Sequence, residues 1–122
     1  MGYYSEVAIR CGNKAFEMFM EAINKHNFKP DNIYKDEKYN EYLLYWNWVK
    51  WYGMNPEIMD IEYVMDDLDD IKSPESNEDM EYAYSFVKMG EEITDIERRE
   101  NDYDIFIDIQ RTISIPETMK ML

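Results

Sequence analysis

Residues 42–52, Tyr-Leu-Leu-Tyr-Trp-Asn-Trp-Val-Lys-Trp-Tyr, are the densest aromatic segment of the chain and the strongest constraint on its fold. With a period of two, Leu44, Trp46, Trp48 and Tyr52 share one face, while Leu43, Tyr45, Val49 and Trp51 share the other. Aromatic enrichment and the following Gly53 favour a strand over a helix, and the strand is apolar on both faces. At least half of its rings need burial in a core.

The remaining pattern supplies that core. Residues 4–11 alternate, with Val7, Ile9 and Cys11 on one face, and read as a strand. Gly12-Asn13 breaks it, with Asn13 as N-cap of a helix that carries Phe16, Phe19, Met20 and Ile23 through about Asn27. Lys29-Pro30-Asp31-Asn32 is a turn, and residues 33–40 read as a short edge strand or a loop. Asn55-Pro56-Glu57 is a helix start, with a capping Asn, Pro at the first helical position and an acid in the first turn. Ile58, Ile61, Val64, Met65, Leu68 and Ile71 form its apolar stripe; the helix ends before Ser73-Pro74, and residues 73–80 are an acidic loop.

The last third reads as an antiparallel meander. Residues 82–89 set Tyr82, Tyr84 and Phe86 against Ala83, Ser85 and Val87. A weaker strand over 92–98 carries Ile93 and Ile96, and residues 103–115 alternate with Ile105, Ile107, Ile109, Ile113 and Ile115 inward. Pro116 ends the pattern. The expected fold is α+β: an antiparallel-rich sheet of four to five strands with two helices packed on one face. One domain spans 1–115, and 116–122 are a C-terminal tail. A chain of 122 residues, 45% apolar, has enough material for one core without staples.

Scarcity of certain residues narrows the chemistry. Cys11 is the only cysteine, which excludes an intramolecular disulfide and a thiolate zinc site and suits a reducing cytosol. His26 is the only histidine, and its helical context places no nucleophile beside it. Four glycines, none in a phosphate-binding pattern, argue against a nucleotide cradle. The start of the chain lacks the basic and apolar runs of a signal peptide, and no stretch is apolar enough to span a bilayer. The expectation is a cytoplasmic protein that is not an enzyme and needs no cofactor or metal.

The net charge of −14 repels nucleic acid and anionic lipid. Its distribution is uneven: residues 57–104 carry 18 acidic side chains against Lys72, Lys88, Arg98 and Arg99, while the segments on either side are neutral. Asp66-Asp67-Leu68-Asp69-Asp70 lacks the spacing of a calcium loop, and consecutive helix residues point apart. A solvated helix face is the plain explanation. Against it, acids in the last turns of a helix oppose the macrodipole, and Asp66–Asp70 and Asp67–Asp70 are like-charge neighbours. Local rules broken without visible compensation mark a functional surface. Asp60, Asp66, Asp67, Asp69 and Asp70, with Glu75, Glu78, Asp79 and Glu91, Glu92 and Asp95, are the candidate partner contacts. Tyr45 and Trp51, or the Tyr82/Tyr84 pair, would anchor a contact if helices left one sheet face open, and an isologous dimer through that face would explain them equally well.

Three stretches resemble small proteins encoded by phages and prophages: Leu44-Tyr45-Trp46-Asn47-Trp48-Val49-Lys50-Trp51-Tyr52, Phe86-Val87-Lys88-Met89-Gly90-Glu91-Glu92 through Asp95-Ile96-Glu97, and Arg111-Thr112-Ile113-Ser114-Ile115. The resemblance covers about a third of the chain and carries no functional residue with it. It implies a phage-type accessory protein of the bacterial host cytoplasm, a group whose acidic members include inhibitors of defence nucleases such as anti-CRISPR proteins. The leading expectation is thus a viral inhibitor that binds a basic, nucleic-acid-binding defence enzyme rather than nucleic acid itself. A sponge for a small nucleotide signal is the second reading. It would need an aromatic cavity with at least two cations, such as Lys50 or Arg98-Arg99. An antitoxin or immunity protein is the third, and a hydrolase comes last.

Overall fold

The computed structural model describes residues 3–71, 80–92, 94–102, 105, 107, 113 and 115–122. Of the expected features, Ile93, Ile109, Arg111 and the acidic loop with Glu75, Glu78 and Asp79 lie outside the described residues.

The chain forms β1 (Ser5–Gly12), α1 (Asn13–Lys25), β2 (Asn32–Asp36), β3 (Glu41–Val49) and α2 (Pro56–Ile71). A 3-10 turn at Met80–Tyr82, β4 (Tyr84–Met89), β5 (Ile96–Glu100) and β6 (Lys120–Met121) follow. One six-stranded sheet runs β5-β4-β1-β3-β2-β6, and every pairing in it is antiparallel. The fold is α+β, with one strand more than the upper sequence expectation. Residues 33–40 are β2 and its turn, and β2 is not an edge, because β6 pairs outside it.

Both helices lie on one face. Phe19 and Ile23 of α1 and Ile58, Ile61, Met65 and Leu68 of α2 bury against Val7, Ile9, Leu44, Trp46, Tyr84 and Phe86. Each fully buried Leu, Ile or Phe contributes roughly 1.5–3 kcal/mol through apolar surface removed from water. Gly12, not Asn13, caps α1. Strand passes directly into helix there, and a Cβ on Gly12 would collide with the backbone carbonyls of Met80 and Glu81. The other end of α1 closes in a Schellman motif: Asn27 takes φ 52°, Asn27 N–H donates to Asn24 O and Phe28 N–H to Ile23 O.

The aromatic strand departs from strict alternation. Ser5 pairs with Val49 but Val7 with Trp46, so β3 carries one extra residue between those pairs. A bulge reverses facing for everything after it. Trp48 turns outward (58% exposed), whereas Val49 and Trp51 join the helix face with Leu44 and Trp46. Trp51, expected on the far face as a contact anchor, is 6% exposed and packs beside Phe28, Trp46 and Phe86. Among the described residues Trp46 Nε1 is the one buried side-chain polar atom without a hydrogen-bond partner; its ring stands edge-on to Trp51 at 5.3 Å and 68°.

The far face is covered rather than open. Ala8, Leu43 and Val87 of the sheet bury against Ile107, Ile113 and Met119. Of the strand expected over 103–115, only Ile105, Ile107, Ile113 and Ile115 are among the described residues; Ile107, Ile113 and Ile115 belong to this second core, and Ile113 makes a backbone bridge. The expected C-terminal tail is part of the same layer, since Met119 is buried and β6 pairs with β2. The open face needed for the expected isologous dimer is thus absent among the described residues.

Candidate partner-binding surface

The helical period divides α2 into three strips. Ile58, Ile61, Met65 and Leu68 face the core; Glu62, Asp66 and Asp69 lean toward β5; Met59, Tyr63, Asp67 and Asp70 point outward. Pro56 starts the helix, and Asn55 O accepts from the Ile58 and Met59 N–H groups. No basic residue stands in its last turn.

The acids are not uncompensated, as they appear in sequence. Arg99 of β5 reaches across and donates from Nη2 to Asp66 Oδ1 at 2.6 Å and to Asp69 Oδ2 at 2.8 Å. The hydroxyl of buried Tyr84 donates to Asp69 Oδ1 at 2.9 Å. Burial first, then this bond, raises the Tyr84 pKa and keeps the phenol protonated. Partial burial opposes the charge on Arg99, but the two aspartates outweigh it and raise the guanidinium pKa. Asn101 completes the clamp by donating from Nδ2 to Leu68 O and Tyr82 O, which satisfies a carbonyl near the C-terminus of α2. The signal for this was present in the sequence: Arg98-Arg99 is the only adjacent basic pair in the acidic stretch.

Asp60 is also engaged. Its Oδ2 lies 2.5 Å from His26 Nε2 and 3.4 Å from Lys25 Nζ, which joins α2 to the end of α1. The His26 hydrogen bond, helped by Lys25 against desolvation, holds the Asp60 carboxyl below the usual carboxylate range. Asp67 and Asp70 remain exposed, without an ion-pair partner among the described residues.

The other expected contacts divide between surface and scaffold. Glu91 and Glu92 are exposed on the β4–β5 turn, before the strand rather than in it. Glu91 accepts from Tyr4 N–H at 3.0 Å, and Asp95 accepts from the Tyr3 hydroxyl at 2.5 Å, so both tie down the start of the chain. Gly90 lets this junction close, because a Cβ there would meet Tyr3 Oη and Asp95 Oδ2. Tyr45 belongs to the far-face core, where its hydroxyl donates to Glu6 Oε2 at 2.8 Å. Tyr84 is buried and Tyr82 half-buried. Among the described residues the exposed aromatics are instead Tyr39, Trp48, Tyr52 and Tyr63. Tyr63 is the one set among the aspartates of α2.

Two hollows flank α2. One, of 350 Å³, is lined by Trp51, Met65 and Phe86 with Glu62, Glu97, Arg98 and Arg99. It pairs aromatic rings with two cations, the arrangement asked of a nucleotide sponge. Its rings are only 6% exposed, two carboxylates share its wall, Arg99 is held by two more, and Arg98 donates to Ile107 O at 3.0 Å. The second hollow, of 410 Å³, runs between α1 and α2. Among the described residues no three His, Cys, Asp or Glu side chains gather into a metal-ligating group, and no helix is long and apolar enough to cross a membrane. Compared with known proteins, the chain matches no family model, no curated sequence and no solved structure.

Proposed function

We propose that this chain is a non-catalytic binding protein that inhibits a bacterial defence enzyme in the host cytoplasm, in the manner of anti-CRISPR proteins. The outward face of α2 would occupy a basic, nucleic-acid-binding surface of that enzyme. The observation that carries this reading is the exposed pair Met59 (38%) and Tyr63 (55%) framed by Asp66, Asp67 and Asp70 on a helix without a single cation. Apolar and aromatic side chains supply contact area, while surrounding carboxylates steer a cationic partner and displace its counterions. Arg99 offsets Asp66 and Asp69 but leaves one negative charge over from that triad, with Asp67 and Asp70 added to it.

The test is association with purified basic defence nucleases, CRISPR effectors first, at low and raised salt. Tight binding that weakens with salt and is competed by DNA is the expected result. Asp67→Lys/Asp70→Lys should remove it while circular dichroism stays unchanged, since neither carboxylate has a structural partner among the described residues. Unchanged affinity in that variant would refute the surface. Immunity against a basic toxin would use the same face. The nucleotide reading is weaker, because carboxylates match or outnumber the arginines in its cavity.

A further inference from the structure

We propose that the groove between α1 and α2 seats a basic amphipathic helix of the partner, about two turns of which lie along it. This deepens the reading above and rests on it for the identity of the occupant. Met18, Ala22 and Val64 make an apolar floor, and Glu21, Asp60 and Asp67 stand on the rim, with Lys25 as its single cation.

Spacing selects a helix. The α1 wall is built from residues 18, 21, 22 and 25 and the α2 wall from 60, 64 and 67, so both walls repeat at i, i+3 or i+4, and i+7. Seven residues of helix advance roughly 10 Å, the length over which a docked helix presents its own i, i+3, i+4, i+7 stripe. Lys25 and His26, at the end of α1, meet Asp60 in the first half of α2, so the two helices run antiparallel along the groove. A third helix in that trough would bury its apolar stripe on Val64 and Ala22. Its flanking lysines or arginines would reach Glu21 on one side and Asp67 on the other. Charge selects a basic occupant: three carboxylates against Lys25 disfavour an acidic helix of the same shape, and an incoming cation can replace Lys25 at Asp60.

The experiment uses the intact protein and a synthetic helical peptide with leucine at i, i+3, i+4 and i+7 and lysine elsewhere; glutamate replaces every lysine in the control. Nuclear magnetic resonance shifts should concentrate on Met18, Glu21, Ala22 and Val64 with the lysine peptide, and the glutamate peptide should leave them unmoved. Glu21→Lys/Val64→Ala, at an exposed and a half-buried position, should weaken the lysine peptide about tenfold. Equal binding of the two peptides, or of wild type and variant, overturns the proposal. The functional reading fails separately. A host nuclease lost on Asp67→Lys/Asp70→Lys but indifferent to Glu21→Lys/Val64→Ala would keep that reading and overturn the groove. A groove that takes the lysine peptide while no basic nuclease binds would do the reverse.

Discussion

Arg99→Met is the substitution that most directly questions the electrostatics of α2. It retains much of the side chain's apolar stem and removes only the guanidinium bridging Asp66 and Asp69. Bonds of this charge-assisted type are strong when buried, but here Asp66 is 58% and Asp69 40% exposed, so solvent screens both. Each then contributes roughly 0.5–1 kcal/mol. Without the guanidinium, the Asp69 charge in the last turn also keeps only the Tyr84 hydroxyl as partner, which costs about another 0.3–1 kcal/mol at low salt. The expected loss is about 1.3–3 kcal/mol in dilute buffer, falling toward ~1 kcal/mol in half-molar salt as the repulsive part is screened. Urea titrations at both salt concentrations measure it directly. A low-salt loss below about 0.3 kcal/mol, or one that grows with salt, would refute the clamp. Binding to a basic partner should meanwhile hold or tighten, because the outward face gains net negative charge.

Gly12→Ala should destabilise by about 1–3 kcal/mol in denaturant titration, because backbone on both sides must move, while Gly53→Ala, which meets only an ordinary contact with Glu62, should stay close to wild type. Trp51→Ala should cost about 3–5 kcal/mol and quench the protected tryptophan fluorescence, whereas Trp48→Ala, which loses chiefly a stack on Tyr4, should cost less than about 1 kcal/mol. Asp36 is buried, which by itself would raise its carboxyl; bonds from Thr118 and from the Tyr39 and Lys38 N–H groups, with Arg10 nearby, outweigh burial and hold it low. Its folded pKa being depressed, its stabilisation is complete above the ordinary value of 3.8 and is lost as pH falls through the folded value, so Asp36→Asn should flatten the acid limb of a stability–pH curve in that window.

Local pattern was legible wherever one rule governed. The alternation of Val7, Ile9 and Cys11 gave β1 its buried face, and Asn55-Pro56-Glu57 marked the start of α2 to the residue. Of the candidate contacts, Asp66, Asp67 and Asp70 do lie on the exposed side of α2. Failures came where a single residue or a distant partner decided the outcome. One extra residue in β3 moved Trp51 into the core and Trp48 out of it, and no periodicity count reveals a bulge. Arg99 could be seen in the sequence, but its reach to Asp66 and Asp69 depends on β5 lying beside α2, which is a tertiary fact.

The central place of β1 in the sheet also governs how this chain must fold in time. Ile9 pairs on one side with Leu44 and on the other with Phe86, most of the sequence away. Closing that second pairing costs roughly 0.7 kcal/mol more in chain entropy than closing the first, and the more local contacts form first, so β1, α1, β2 and β3 can assemble early while one edge of β1 stays bare. Until β4 arrives, that bare edge is the place where a nascent or heat-shocked copy would pair with another. Refolding should accordingly be sensitive to protein concentration, and substitutions in β2 should slow it more than those in β4, which should chiefly speed unfolding.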